Sequence, residues 1–303
     1  MIRTWPVSEL DADSRIDAVL ANLSGLSRAT CASLVDQDRV RVNDKVVIKS
    51  HRVQFGDVIE VEFADPEVGS SEPVVELPIV HSDDDLVVID KPAGVAAHPS
   101  AGWSGPTVIG SLEAMGHVLT AYGPVERKGI VHRLDVGTSG LMVVAKSERA
   151  YVSLKDQFRD RTVTKIYHTL VQGRLDPMSG TIDAPIDRHP NSSYRFAVLD
   201  SGRPSITHYD TLDAFAYASL LEVHLETGRT HQIRVHMSAL RHPCCGDLTY
   251  GADPKLAARL GLDRQWLHAV KLGFTHPGTL DPIEFTSDYA PELQIALEKV
   301  QEV

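Results

Sequence analysis

His132-Arg133-Leu134-Asp135-Val136-Gly137-Thr138-Ser139-Gly140-Leu141-Met142-Val143-Val144-Ala145-Lys146 is the stretch on which the reading turns. Leu141 to Lys146 is a short apolar run and reads as a strand. Ahead of it, Gly129-Ile130-Val131 reads as the end of another apolar strand. Asp135 then sits where that strand gives way to a Gly/Thr/Ser turn. Such a turn lets a ligand approach the backbone closely. Read alone, the pattern better fits an Asp that only makes local turn hydrogen bonds.

Downstream, Ser147 can cap a helix reaching about Arg161, with Tyr151, Leu154 and Phe158 on one face. Its cations, Arg149, Lys155, Arg159 and Arg161, fit a solvated surface. The strand 163–171 puts Tyr167 on a face with Val163 and Val171, which also suits plain core packing. The strand 219–226 sets Leu221, Val223 and Leu225 against Glu222, His224 and Glu226. Thr227-Gly228-Arg229-Thr230 then turns into a helix ended by Pro243. Ile233, Met237 and Leu240 form its apolar stripe. His231, Arg234, Ser238 and Arg241 fall on a different face. Arg234 lies one turn in, where helix N–H groups also favour an anion. A solvated surface arginine is the alternative there.

Upstream, Leu86-Val87-Val88-Ile89 reads as a buried strand that ends in Asp90-Lys91-Pro92-Ala93-Gly94. Residues 64–80 read as an acidic linker. Residues 14–63 read as a compact ααβ unit. Ile16, Val19, Leu20 and Leu23 mark its first helix, broken at Gly25. Ser27 caps a second helix carrying Cys31, Leu34 and Val35. Short β runs follow from Val40 to Phe63, with turns at Asn43-Asp44 and Phe55-Gly56-Asp57. Residues 1–13 read as a frayed lead-in. The order favours an α+β protein over a regular βαβ repeat. A large domain over 81–303 follows the small one.

Composition bounds the function. At 303 residues, two domains are expected. Hydrophobic residues at 43% are enough to build a core. No window approaches ~18 consecutive apolar residues, and the N-terminus lacks a secretory pattern. Cys31, Cys244 and Cys245 give neither a disulfide framework nor CxxC spacing, so a cytoplasmic location is expected. The net charge of −11 argues against a nucleic-acid partner only until its distribution is seen. Residues 64–90 hold eight acids and no Lys or Arg, whereas 125–174 hold ten Lys/Arg against five acids. An acidic linker can thus mask a basic working surface. The fourteen histidines are scattered, so no metal site is expected. No P-loop, GxGxxG or HExxH occurs, and Ser139 is not in a GxSxG elbow, so no cofactor is expected.

Together these strings resemble the RluA family of pseudouridine synthases. The resemblance covers residues 81–303. It rests on Val88-Ile89-Asp90-Lys91-Pro92-Ala93-Gly94, Ile130-Val131-His132-Arg133-Leu134-Asp135, Lys165-Ile166-Tyr167 and Arg188-His189-Pro190. It continues through Gly228-Arg229-Thr230-His231-Gln232-Ile233-Arg234-Val235-His236, Gly246-Asp247, Tyr250-Gly251 and Leu267-His268-Ala269. Residues 14–63 resemble the alpha-L RNA-binding domain first seen in a ribosomal small-subunit protein. There Asp38 and Asp44 stand where glycine is common. Asp tolerates positive φ, so the turns survive.

The resemblance implies a pseudouridine synthase catalytic domain with a mixed, mostly antiparallel sheet behind a small ααβ RNA-binding domain. It implies Asp135 as the catalytic aspartate, Tyr167 as the aromatic face for the target base, and Arg234 as the cation paired with Asp135. Arg133 would fill the space left by a flipped base. Arg28, Arg41, Arg229 and His231 would contact RNA. The implied partner is structured RNA, foremost large-subunit ribosomal RNA or its precursor particles, engaged by a monomer away from membranes. Transfer RNA is an alternative substrate. A non-catalytic RNA-binding or ribosome-assembly protein would retain the fold without the three catalytic residues. A glycoside hydrolase would need a second carboxylate about 5–9.5 Å from Asp135.

Overall fold

The computed structural model describes residues 2–24, 26, 28–62, 73–100, 102–192 and 194–301. It divides the chain into two units, Met1–Glu72 with Ala121–Lys128, and Pro73–Thr120 with Gly129–Val303.

The smaller unit runs β1 (Ile2–Pro6), α1 (Ile16–Ser24), α2 (Arg28–Asp36), β2 (Val40–Val42), β3 (Lys45–Val46) and β4 (Val58–Glu62). Its antiparallel sheet has the order β1-β4-β2-β3. Ile16, Val19, Leu20, Cys31 and Val35 from the helices share one core with Val40, Ile59 and Val61 from the strands. Asn43 and Asp44 have φ of 49° and 63°, so both central residues of the β2–β3 hairpin are left-handed. Asp38, just after α2, is also left-handed, with φ of 57°.

The frayed lead-in is corrected. Residues 2–6 pair with β4 from Ile2↔Glu62 to Pro6↔Val58, and Val7 is buried. The pairing satisfies what would otherwise be an open strand edge. Only Trp5 of this strand turns toward the core, so its alternation is weak. The break at Gly25, the cap at Ser27, Phe63 at the end of the β runs and residues 64–72 of the linker lie outside the described residues. The rest of the expected linker belongs to the larger unit. There Leu77 is in the core and the Val75 N–H donates to Ser111 Oγ at 3.2 Å.

The larger unit contains β5 (Ile79–Ser82), β6 (Leu86–Lys91), α3 (Val108–Ala114), β7 (Ser139–Ala145), α4 (Glu148–Arg159) and β8 (Thr164–Gln172). It continues with β9 (Ser179–Asp183), β10 (Ile186–Arg188), β11 (Phe196–Val198), β12 (Ile206–Ala214), β13 (Ala218–Leu225) and α5 (Gln232–Ala239). It ends with α6 (Pro254–Leu260), β14 (Leu267–Thr275), β15 (Pro282–Thr286) and α7 (Pro291–Gln301). The main sheet has the order β5-β6-β7-β14-β8-β13-β12-β9, with β15 also on β14. Among the described strands only β7 and β14 pair in parallel. β10 and β11 form a separate ribbon.

β7 is buried at every residue because both faces are covered. Met142 and Val144 enter one core, while Leu141, Val143 and Ala145 pack with Ala150, Tyr151 and Leu154 of α4 in another. Ser147 caps α4, its hydroxyl accepting the Ala150 N–H at 3.1 Å. The strand expected before Asp135 does not form. Ile130 makes a single bridge to Val144, and 131–138 are loop. The reason is a side chain: His132 Nε2 accepts the Val143 N–H at 3.0 Å, where a neighbouring strand would have offered a carbonyl.

Candidate active site

The 131–138 loop delivers Asp135, β8 delivers Tyr167 and α5 delivers Arg234 to one cleft. Arg133, Arg229 and His231 line it as well. All six expected residues of the larger unit therefore converge. Arg28 and Arg41 belong to the smaller unit. Arg28 is ion-paired with Asp17 at 3.2 Å, and Arg41 is exposed on β2.

Arg234 is not a surface cation; it is 7% exposed. Its Nη1 donates to Asp135 Oδ2 at 3.3 Å. Its shorter bonds go to Asp247, from Nε at 2.6 Å and from Nη2 at 2.9 Å. This fork fixes the guanidinium plane. The Tyr250 ring lies under the cation at 4.9 Å. Burial works against the Arg234 charge, but pairing with Asp247 outweighs it and raises the pKa. Asp247 was visible in the sequence only as part of the Gly246-Asp247 string, since nothing in its spacing ties it to α5.

Tyr167 is buried between Val223 on β13 and Ala269 on β14. Burial, helped by the Asp135 charge, lifts its phenol pKa well above the ordinary range. The ring therefore meets the cleft as a neutral aromatic. His231 precedes α5 with φ of 58°. Its Nδ1 is 2.8 Å from the Tyr250 hydroxyl, and its Nε2 is 3.9 Å from Asp135 Oδ2. Ahead of α5, the Arg229 N–H donates to Gln232 Oε1 at 3.0 Å.

A second groove shares Arg133, Tyr167 and Arg229 with the cleft. Lys155, Arg159, Arg161 and Lys165 also line it. Three of the helix-and-turn cations thus front a groove. Beneath the Asp135 loop, fully buried Lys91 donates to the carbonyls of Pro92 and Val95 at 3.0 and 2.9 Å. Burial lowers its pKa to about 7. All three cysteines are buried, and burial pushes the Cys244 thiol up to about 12.

Among the described residues, His81, Asp83 and His276 come within metal-ligand range of one another. His276 Nδ1 accepts the N–H groups of Gly278 and Thr279, both at 3.1 Å. Its proton is therefore on Nε2, which donates to Asp83 at 2.9 Å. This ring is tautomerically set for hydrogen bonding, with no lone pair aimed at an ion.

The family model described as RNA pseudouridylate synthase matches residues 85–239, just over half of the chain. The chain belongs to this family. An S4 domain model matches residues 14–59 of the synthase. The synthase is 56% identical over 298 residues to an RNA pseudouridine synthase of Mycobacterium bovis, covering 97% of each chain. It is 36% identical over 312 residues to the ribosomal large subunit pseudouridine synthase D of Xanthomonas campestris, covering 99% of this chain and 93% of that one. Among solved structures, Human RNA Pseudouridylate Synthase Domain Containing 1 matches with a TM-score of 0.60 and 29% identity. The match covers 76% of this chain and 90% of that one. The synthase is an enzyme that acts on RNA.

Proposed function

We propose that the synthase isomerises uridines of large-subunit ribosomal RNA, with Asp135 as the reacting carboxylate. The observation that carries this is the cleft itself. Asp135 is the one carboxylate among its lining residues, set between a neutral aromatic ring and a guanidinium oriented from behind. The kinship with a large-subunit enzyme supports the substrate class. A uridine must leave its stack for its glycosidic bond to be reached. The Tyr167 ring can hold the extruded uracil by stacking, worth ~1–3 kcal/mol, while Arg133 fills the vacated space.

The C1′–N1 bond breaks, the uracil turns, and C5 bonds to C1′. The C5 proton leaves and N1 gains one. Asp135 serves either by attacking C1′ or by taking the 2′ proton. Arg234 aims the carboxylate. A two-carboxylate hydrolase is disfavoured, because Asp247 is 2% exposed and committed to Arg234. Arg229, His231 and the small domain's Arg28 and Arg41 serve RNA binding in this reading. One chain supplies the whole cleft, so a monomer suffices. No helix among the described residues is long and apolar enough to cross a membrane. Three unpaired buried thiols fit the reducing cytoplasm.

The test is tritium release from ribosomal RNA labelled at uridine C5, with wild type and Asp135→Asn side by side. Release by wild type alone, with both proteins melting alike, is expected. Release by Asp135→Asn removes Asp135 from the chemistry. Release from transfer RNA only removes the ribosomal substrate.

A further inference from the structure

Arg264 is outside the cleft, yet it grips the loop that carries Asp135. Its Nη1 donates to the Gly137 carbonyl at 2.9 Å, and its Nη2 to the Ser139 hydroxyl at 3.0 Å. Ser139 Oγ is 2.8 Å from His268 Nδ1. On the far edge of that ring, Nε2 is 3.0 Å from the Ser287 hydroxyl, which donates to Asp90 Oδ2 at 2.6 Å.

Donor chemistry gives this chain one direction. An ionised carboxylate only accepts, so Ser287 gives its one proton to Asp90 and accepts from His268 Nε2. The neutral ring's Nδ1 then accepts from Ser139, which accepts in turn from the Arg264 guanidinium. The arrangement needs a neutral imidazole. Burial holds it so, with the His268 pKa lowered to about 4. Ser139 and His268 are each 1% exposed and face each other in the parallel β7–β14 pair. Gln265 adds a bond from Nε2 to Thr138 Oγ1 at 3.2 Å. The Thr138 N–H closes the turn on the Asp135 carbonyl at 3.0 Å. Residues 137–139 therefore cannot shift without moving Asp135.

We propose that Arg264, Ser139 and His268 are positioning residues, which set Asp135 in the cleft by clamping residues 137–139. The proposal rests on Asp135 as the reacting carboxylate. A displacement of ~1 Å at such a group can cost ~100-fold in rate.

Steady-state and single-turnover tritium release decide it, using Ser139→Ala, His268→Leu, the two combined as a double variant, His268→Gln and Asp135→Asn of the full chain. Ser139→Ala and His268→Leu should lower kcat by roughly 10- to 100-fold with KM within about twofold. His268→Gln, which can accept and donate, should recover part of the loss. The double variant should be no slower than the slower single, because both cut one chain. A merely structural role would lower the melting temperature and leave kcat per folded enzyme unchanged. Should His268→Leu fail to fold, Ser139→Ala, which lacks one hydroxyl, decides alone. Folded Ser139→Ala with kcat within about twofold of wild type, beside an inactive Asp135→Asn, overturns the clamp. An active Asp135→Asn overturns the reading beneath it instead.

Discussion

Arg234 is held mainly by a residue other than the one it serves. Asp247 takes two of its nitrogens and leaves Nη1 for Asp135. Asp247→Ala would strand a buried guanidinium. Breaking a buried pair in this way costs ~3–5 kcal/mol. We expect a loss of that order in urea denaturation, with at least about a tenfold fall in single-turnover rate. His132 makes the pH prediction. Burial, with Lys165 nearby, lowers its pKa from 6.5 to about 3. Between those values the unfolded chain binds more protons than the folded one. The contribution of His132 is thus whole above pH 6.5 and is lost as pH falls toward 3. His132→Gln keeps an acceptor for Val143 but does not titrate. Denaturation curves at pH 7 and pH 5 should differ less for the variant, by ~1–2 kcal/mol. Asp135, Tyr167 and Arg234 were legible because each sits in a distinctive string. Asp247 and Arg264 act through contacts 13 and 125 positions away, which no local pattern reports.

Strands and helices were read best where one periodicity governed them. Ser147 and the apolar face of α4 appeared as expected, and Leu141–Ala145 formed a strand with its neighbours on both faces. The misreadings came where a side chain or a partner strand replaced the local rule. His132 took the place of a ladder carbonyl, and β1 formed because β4 had an edge to satisfy. Gly140 shows how tightly the elements fit. Its φ is 108°, and a Cβ there would meet the Ala269 backbone nitrogen at 2.5 Å. Gly140→Ala should push β7 off β14, costing on the order of 3 kcal/mol or more. Loss of soluble protein or a much earlier urea midpoint would register this.

Across the whole molecule, net charge misleads and placement informs. The chain carries −11, yet Arg133, Lys155, Lys165 and Arg229 front one groove beside the cleft. Binding to RNA should therefore weaken steeply with salt, the logarithm of affinity falling linearly with the logarithm of salt concentration. Charge reversal in the smaller unit should separate binding from chemistry. Arg41→Glu is expected to raise the Kd for RNA about tenfold while single-turnover rates at saturating enzyme stay within about twofold. An equal loss in both would mean that the small domain also shapes the reacting complex.

The order of synthesis gives the β7–β14–β8 arrangement one more meaning. A ribosome that has made residues 1–260 has already made Asp135, Tyr167 and Arg234. It has not yet made β14, the strand that stands between β7 and β8. A nascent or prematurely terminated chain of that length thus carries Asp135, Tyr167 and Arg234 without the strand that joins their elements, with the edges of β7 and β8 left open for quality control to find. The elements that carry the cleft residues are joined only once β14 has been made.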